Sequence, residues 1–279
     1  MAMKNATLLI ICWVIFSAIN ISEPPKLVEK WRTSGSLKTP ESVFFDRKNH
    51  VLYVSNINGS PTEKDGNGFI SKVSLEGEVI KPMWVTGLNA PKGMGATNGM
   101  LYVTDIDQVV KINIETGTIV KRYPIKGANF LNDITIAMDD MIIISDMGTG
   151  KIHQLSHDNV SLLFEGLNGP NGVLAEGKDL RIGGRSGIIQ SLSLMTNEMI
   201  PFITGTGSID GLVSGGKSDY FISDWKGNIH HVTRQKVTHL IDLSQWNMNA
   251  ADIEFIPEES LLLVPTFHDN RVVAYHVSR

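Results

Sequence analysis

Six positions, Glu41, Lys92 (or Gly93), Asn132, Asn171, Asp210 and Ala251 (or Asp252), follow one another at separations of 51, 40, 39, 39 and 41 residues. Each opens a short two-strand pattern, so a repeating fold would bring all of them to one level. Two are carboxylates and two are carboxamides. Like charges crowded into a narrow space are costly unless a cation or protons neutralise them. An all-oxygen set of this kind suits a hard divalent ion, Ca²⁺ first, with Mg²⁺, Mn²⁺ or Zn²⁺ as alternatives. A water-filled channel lined by polar side chains would use the same residue types, and spacing alone leaves both readings open.

The elements that must hold these residues are short. LNDITIAMDDMIIISD (131–146) is an apolar run, an acidic turn and a β-branched run, the pattern of a hairpin. The same shape recurs at 40–56, 91–105, 170–184, 209–224 and 251–266. A third strand follows each copy (FISKVSL, VVKINI, KIHQLS, IIQSLSL, NIHHVT, RVVAYHV), and a fourth follows all but the last. An orphan strand, KLVEKW (26–31), lies at the other end. Joining the ends closes a ring, which predicts an all-β, six-bladed propeller whose N-terminal strand completes the last blade. The first spacing exceeds the others because of an insertion, NGSPTEKDGNG (58–68), which reads as a flap over the channel mouth or as a plain variable loop.

Composition narrows the class. The 279 residues carry a net charge of −4 without a basic stripe, which argues against nucleic acid as a partner. Lys4 followed by an apolar run over 6–19 reads as a secretory signal, because a spanning helix needs roughly 20 apolar residues. The expected organisation is a signal peptide (1–22) and one domain (23–279), exported to a periplasm or secreted, with an uncleaved membrane anchor as the alternative. Cys12, the sole cysteine, lies within the signal, so the domain has neither a disulfide nor a thiol nucleophile.

The motifs PESV (Glu41), FLND (Asn132), GPNGV (Asn171) and IDGL (Asp210) resemble the gluconolactonase, regucalcin and senescence-marker family, and more remotely the paraoxonases. The resemblance implies that Glu41, Asn171 and Asp210 bind a divalent metal. It also implies that Asn132 contacts substrate or metal-bound water, and that Asp210 doubles as general base. Phe130 stands where the sugar lactonases of that family carry an arginine. An apolar ring in place of a fork of donors points to a more apolar lactone or ester. The expected reaction is metal-assisted hydrolysis of such a small molecule. His268 is a candidate proton shuttle, and Trp225, Phe130 and Phe267 are candidate walls for substrate. The alternative is a non-catalytic ligand- or protein-binding propeller that uses the cation structurally.

GLVSGGKS (211–218) matches the phosphate-binding pattern letter for letter. That motif needs a helix after it, and here DYFIS reads as a strand, so no nucleotide is expected. There is no G-x-S-x-G elbow and no H-E-x-x-H pair. A strictosidine-synthase-like condensation lacks an acid placed for amine activation.

Overall fold

The computed structural model describes residues 23–216 and 219–278. The leader segment and Cys12, like Lys217 and Ser218 of the GLVSGGKS stretch, lie outside the described residues. Among the described residues, no helix is long and apolar enough to cross a membrane.

The repeats fold into six four-stranded antiparallel sheets, five of them meanders of consecutive strands. Their innermost strands are Pro40–Asp46, Pro91–Thr97, Leu131–Ile136, Pro170–Glu176, Leu212–Gly216 and Glu254–Ile256. In blade six the C-terminal strand Val272–Ser278 pairs with the N-terminal Lys26–Arg32, Lys26 opposite Ser278. The ring is therefore closed by hydrogen bonds between the chain's two ends, as the orphan strand predicted.

Alternating side chains on each strand face the two neighbouring blades, and the contact is apolar at every junction. Val43, Leu52 and Val54 of blade one meet Leu261, Leu263 and Ala274 of blade six, for example. Tyr53 of blade one meets Met94, Leu101 and Val103 of blade two. Ile143 of blade three meets Val173 and Leu180 of blade four. Fully burying such side chains contributes roughly 1.5–3 kcal/mol each. These junctions set the orientation of the blades, and hence of the channel side chains.

One local device recurs where the chemistry-bearing residues sit. In blades one to four the inner ladder is interrupted by a bulge, between Pro40 and Ser42, Pro91 and Met94, Leu131 and Ile134, and Pro170 and Val173. A bulge places two residues opposite one and re-aims a side chain, here those of Glu41, Lys92, Asn132 and Asn171. Hydroxyls of the second strands hold the kinks: Ser55 Oγ accepts from Ser42 N at 3.0 Å, and Ser145 Oγ from Asp133 N at 2.9 Å. In blades five and six the strand starts later than the sequence pattern suggests. Asp210 N donates to Ser223 O while Ser223 N donates to Gly211 O, so two residues again face one and the regular ladder begins only at Leu212. Asp252 is carried by the neighbouring blade, its N–H donating to Glu41 O at 2.9 Å. Close approach of adjacent inner strands needs small residues: a Cβ on Gly93 would stand 2.5 Å from Asp133 Cα.

Candidate functional site

At the end of the channel where the innermost strands begin, a cavity of about 730 Å³ opens. Its floor is the predicted ring. Glu41, Asn132, Asn171 and Asp210 are buried and all line it. One oxygen of each, Glu41 Oε2, Asn132 Oδ1, Asn171 Oδ1 and Asp210 Oδ1, has no hydrogen-bond partner. A buried acceptor left unpaired costs about 1–3 kcal/mol, and more when charged, so four at one place call for a donor or a cation between them. The structure also resolves the two alternatives at the ring. Lys92, not Gly93, lines the cavity. In blade six neither Ala251 nor Asp252 lines the cavity, and Asp252 pairs with Ser42, one residue deeper than Glu41.

That deeper level forms a second ring, and its carboxylates are paired. Ser42 Oγ donates to Asp252 Oδ2 at 2.7 Å. Asp133 accepts from Val173 N at 2.7 Å and from Ile134 N at 2.6 Å. Burial pushes the Asp133 carboxyl well above the usual range, with the Asp252 charge adding and the backbone donors opposing. Burial likewise lifts Asp252 to about 7, with Ser42 opposing. Asp210 is pushed up to about 7 by burial and then by the Asp252 charge, against the neighbouring Asn171 carboxamide. Glu41 is raised well above its ordinary value by burial, then by Asp210 and Asp252, with Lys92 opposing. The site therefore favours protons or a cation over bare carboxylates.

Lys92 was expected only as a ring occupant, and its surroundings are specific. It is 1% exposed. Its Nζ donates to Pro61 O and to Ala90 O, both at 3.0 Å, and lies 4.6 Å from the centre of the Phe130 ring. Burial lowers the ammonium to about 8, with Glu41 and Asp105 opposing. The bond to Pro61 ties the 58–68 insertion down, and Gly59 and Pro61 line the cavity, as expected for a flap at the mouth.

The walls come from a position that the sequence reading missed as a set. One residue past the second strand in blades one to four, and two residues past it in blades five and six, stand Ile57, Ile106, Met147, Arg185, Trp225 and Phe267 in turn, and all but Ile106 line the cavity. Aligning the repeats would have exposed it: five apolar residues and one arginine. Trp225 packs edge-on against Phe267, ring centres 4.7 Å apart, and His268 packs against Phe267 at 5.0 Å. Phe130 and His268 line the cavity too, so the candidate metal, catalytic and substrate-binding residues all meet here, whereas Gly93, Ala251 and Asp252 do not line it. His268 makes no bond to a carboxylate among the described residues and packs against Trp225 and Phe267.

Among the described residues no group of three or more His, Cys, Asp or Glu side chains is placed to hold a metal ion. The floor offers two carboxylates and two carboxamides instead, a mixed oxygen set of the kind hard cations take. His230 and His231 do not chelate together: His231 Nε2 lies 3.1 Å from Asp219 Oδ2, whereas His230 packs against His239. On the far side of the phosphate-loop look-alike, Asp219–Ser223 is a strand where that motif would open a helix.

Similar architectures exist among solved structures. A streptogramin B lyase matches with a TM-score of 0.64 at 14% identity, covering 91% of this chain and 98% of that one. A catalytically inactive virginiamycin B lyase from Staphylococcus aureus, solved with quinupristin, matches with a TM-score of 0.62 at 14% identity, covering 91% and 99%. Identity this low speaks for the shared propeller fold alone. No protein-family profile and no curated protein sequence matches the chain.

Proposed function

We propose that this propeller hydrolyses a lactone or related ester of apolar character, with one divalent cation held at the channel floor. The reading rests on one observation, the four unpaired and buried side-chain oxygens of Glu41, Asn132, Asn171 and Asp210 facing one cavity. The donor set fits a hard ion: Glu41, Asn171 and Asp210 would hold it, Ca²⁺ first, with Mg²⁺, Mn²⁺ or Zn²⁺ as alternatives. When bound, it would polarise the acyl carbonyl and offset developing negative charge, worth several kcal/mol in such sites.

The chain's own residues supply the rest. Asn132 orients the attacking water through its carboxamide. Asp210, which also serves as a metal ligand in this reading, takes that water's proton as its oxygen joins the acyl carbon. Breakage of the ring C–O bond then returns a proton to the departing oxygen, and the product is a hydroxy acid. Phe130, Met147, Trp225 and Phe267 present apolar surface to the body of the substrate and exclude water from the reacting bond. Phe130 in place of an arginine disfavours polyhydroxy rings.

The decisive assay is proton release by residues 23–279 on a lactone panel, with Ca²⁺ and then with excess chelator, in water enriched in ¹⁸O. Turnover that chelation abolishes, with one ¹⁸O in the acid product, is expected. Ring opening without solvent oxygen would replace hydrolysis with elimination, the class named by both structural neighbours. The second reading is a binding propeller with a structural cation, favoured by His268 lacking a carboxylate partner. It would give cation-dependent stability and no turnover across the panel.

A further inference from the structure

The six equivalent wall positions carry five apolar residues and one arginine, and that arginine is equipped for a ligand. Arg185 is exposed at the rim, lines the cavity, and makes no ion pair among the described residues. Its one side-chain contact of hydrogen-bond type is Nη2 to Met147 Sδ at 3.9 Å, a weak acceptor. Its stem lies over Gly169, where a Cβ would stand 2.9 Å from Arg185 Cδ, so a glycine makes the room it occupies. Five other described arginines find acids, among them Arg32 with Glu29, Arg181 with Glu176 and Arg271 with Asp269, and Arg234 lies over the Phe202 ring. Lys92, buried beneath Phe130, adds a second positive charge on the same flank, formed by blades two to four. The opposite flank, from blades five and six, is aromatic, with Trp225 and Phe267 in edge-on contact.

We infer that Arg185 is the specificity-determining anchor for an organic anion, and that this cavity takes an apolar, aryl-bearing lactone or ester with a carboxylate substituent. The substrate's anion meets the guanidinium at the rim and its ring lies against Trp225 and Phe267. Its acyl group then points to the floor. A planar fork of donors suits a carboxylate better than any neutral group. The acids of the floor do not contradict this, because they are buried at the bottom of the cavity while Arg185 is exposed at its rim. The inference rests on the cavity being a substrate site, and binding tests it independently of turnover.

The test compares 3-phenylpropanoate with 3-phenylpropanamide, equal in shape and different in charge, by calorimetric titration of the Ca²⁺-loaded domain and of the chelated one. The acid should bind about tenfold tighter than the amide. Arg185→Gln should abolish that preference in both preparations at unchanged melting temperature, and Arg185→Lys should restore part of it. An acid that binds no better than the amide overturns the inference. So does a preference that survives Arg185→Gln, since the anion would then be held at the floor. If the preference follows Arg185 but no lactone is turned over, the proposed hydrolysis fails and the anion site stands. If neutral lactones are hydrolysed and Arg185→Gln leaves the acid-to-amide ratio unchanged, hydrolysis stands and the anchor fails.

Discussion

Two rings of polar side chains, one residue apart in sequence, line the same channel under the same burial, yet they are built to opposite ends. In the deeper ring Asp252 is bonded to Ser42 Oγ and Asp133 to two backbone N–H groups. In the upper ring Glu41, Asn132, Asn171 and Asp210 each keep an oxygen without a partner. A fold that satisfies the lower set so fully has the means to satisfy the upper one. Satisfied acids hold blades together, whereas unsatisfied ones wait for something that is not protein.

The largest effect should come from the upper ring. Asp210→Ala, and Glu41→Gln beside it, should lower turnover of a responsive lactone by at least about a hundredfold, the loss typical when an electrostatic stabiliser is removed. Both should also erase the rise in melting temperature on adding Ca²⁺. Retained turnover in both variants would mean that the two rings do not differ in kind. In the lower ring, Asp252→Ala strands the Ser42 hydroxyl and should cost about 1–3 kcal/mol in denaturant unfolding. The Ca²⁺ response should survive, and its loss in this variant would merge the rings into one site.

A pH series without metal probes both rings together. Asp210, Asp252 and Glu254 are each raised by burial to about 7, far above their values in the unfolded chain. The folded state therefore holds protons that the unfolded state releases, so stability is greatest below about pH 4 for these groups and is lost as pH rises through 7. Melting temperature of the chelated domain should fall between pH 5 and 8, and saturating Ca²⁺ should flatten that fall. A chelated domain that gains stability over the same window would contradict the burial of these acids. The smallest effect is expected at the rim: His268→Ala should change turnover by less than about tenfold and leave melting unchanged, since the ring only packs against Phe267 and Trp225.

Much of this was legible in the sequence because the fold is periodic. Hairpin patterns at near-constant spacing, plus an unpaired strand at each end, specify a closed ring without further information. The channel residues were legible for the same reason, since period alone aligns Glu41, Lys92, Asn132, Asn171 and Asp210. What escaped is what periodicity does not encode. Whether Ala251 or Asp252 faced the upper level depended on how Glu41 O and Ser42 capture the blade-six segment. The late start of the inner strand in blade five follows from Ser223 bonding both Asp210 and Gly211. Arg185 is invisible to the spacing of strand starts, because the wall position lies just beyond the ends of the second strands.

The closure of the ring also dictates a timetable. Of the ring's strands, Lys26–Arg32 is made first and its partner Val272–Ser278 last. The first of these strands must stay unpaired while five blades form behind it, and the sixth blade is incomplete until residues 272–278 are made. Contacts that span nearly the whole chain close slowly, because the loop entropy must be paid before they form. Nascent chains should accordingly remain protease-sensitive at residues 26–32 until residues 272–278 emerge, then become resistant in a single late step. The same stretch exposed on a stalled chain is a free edge, able to complete the last blade of another molecule.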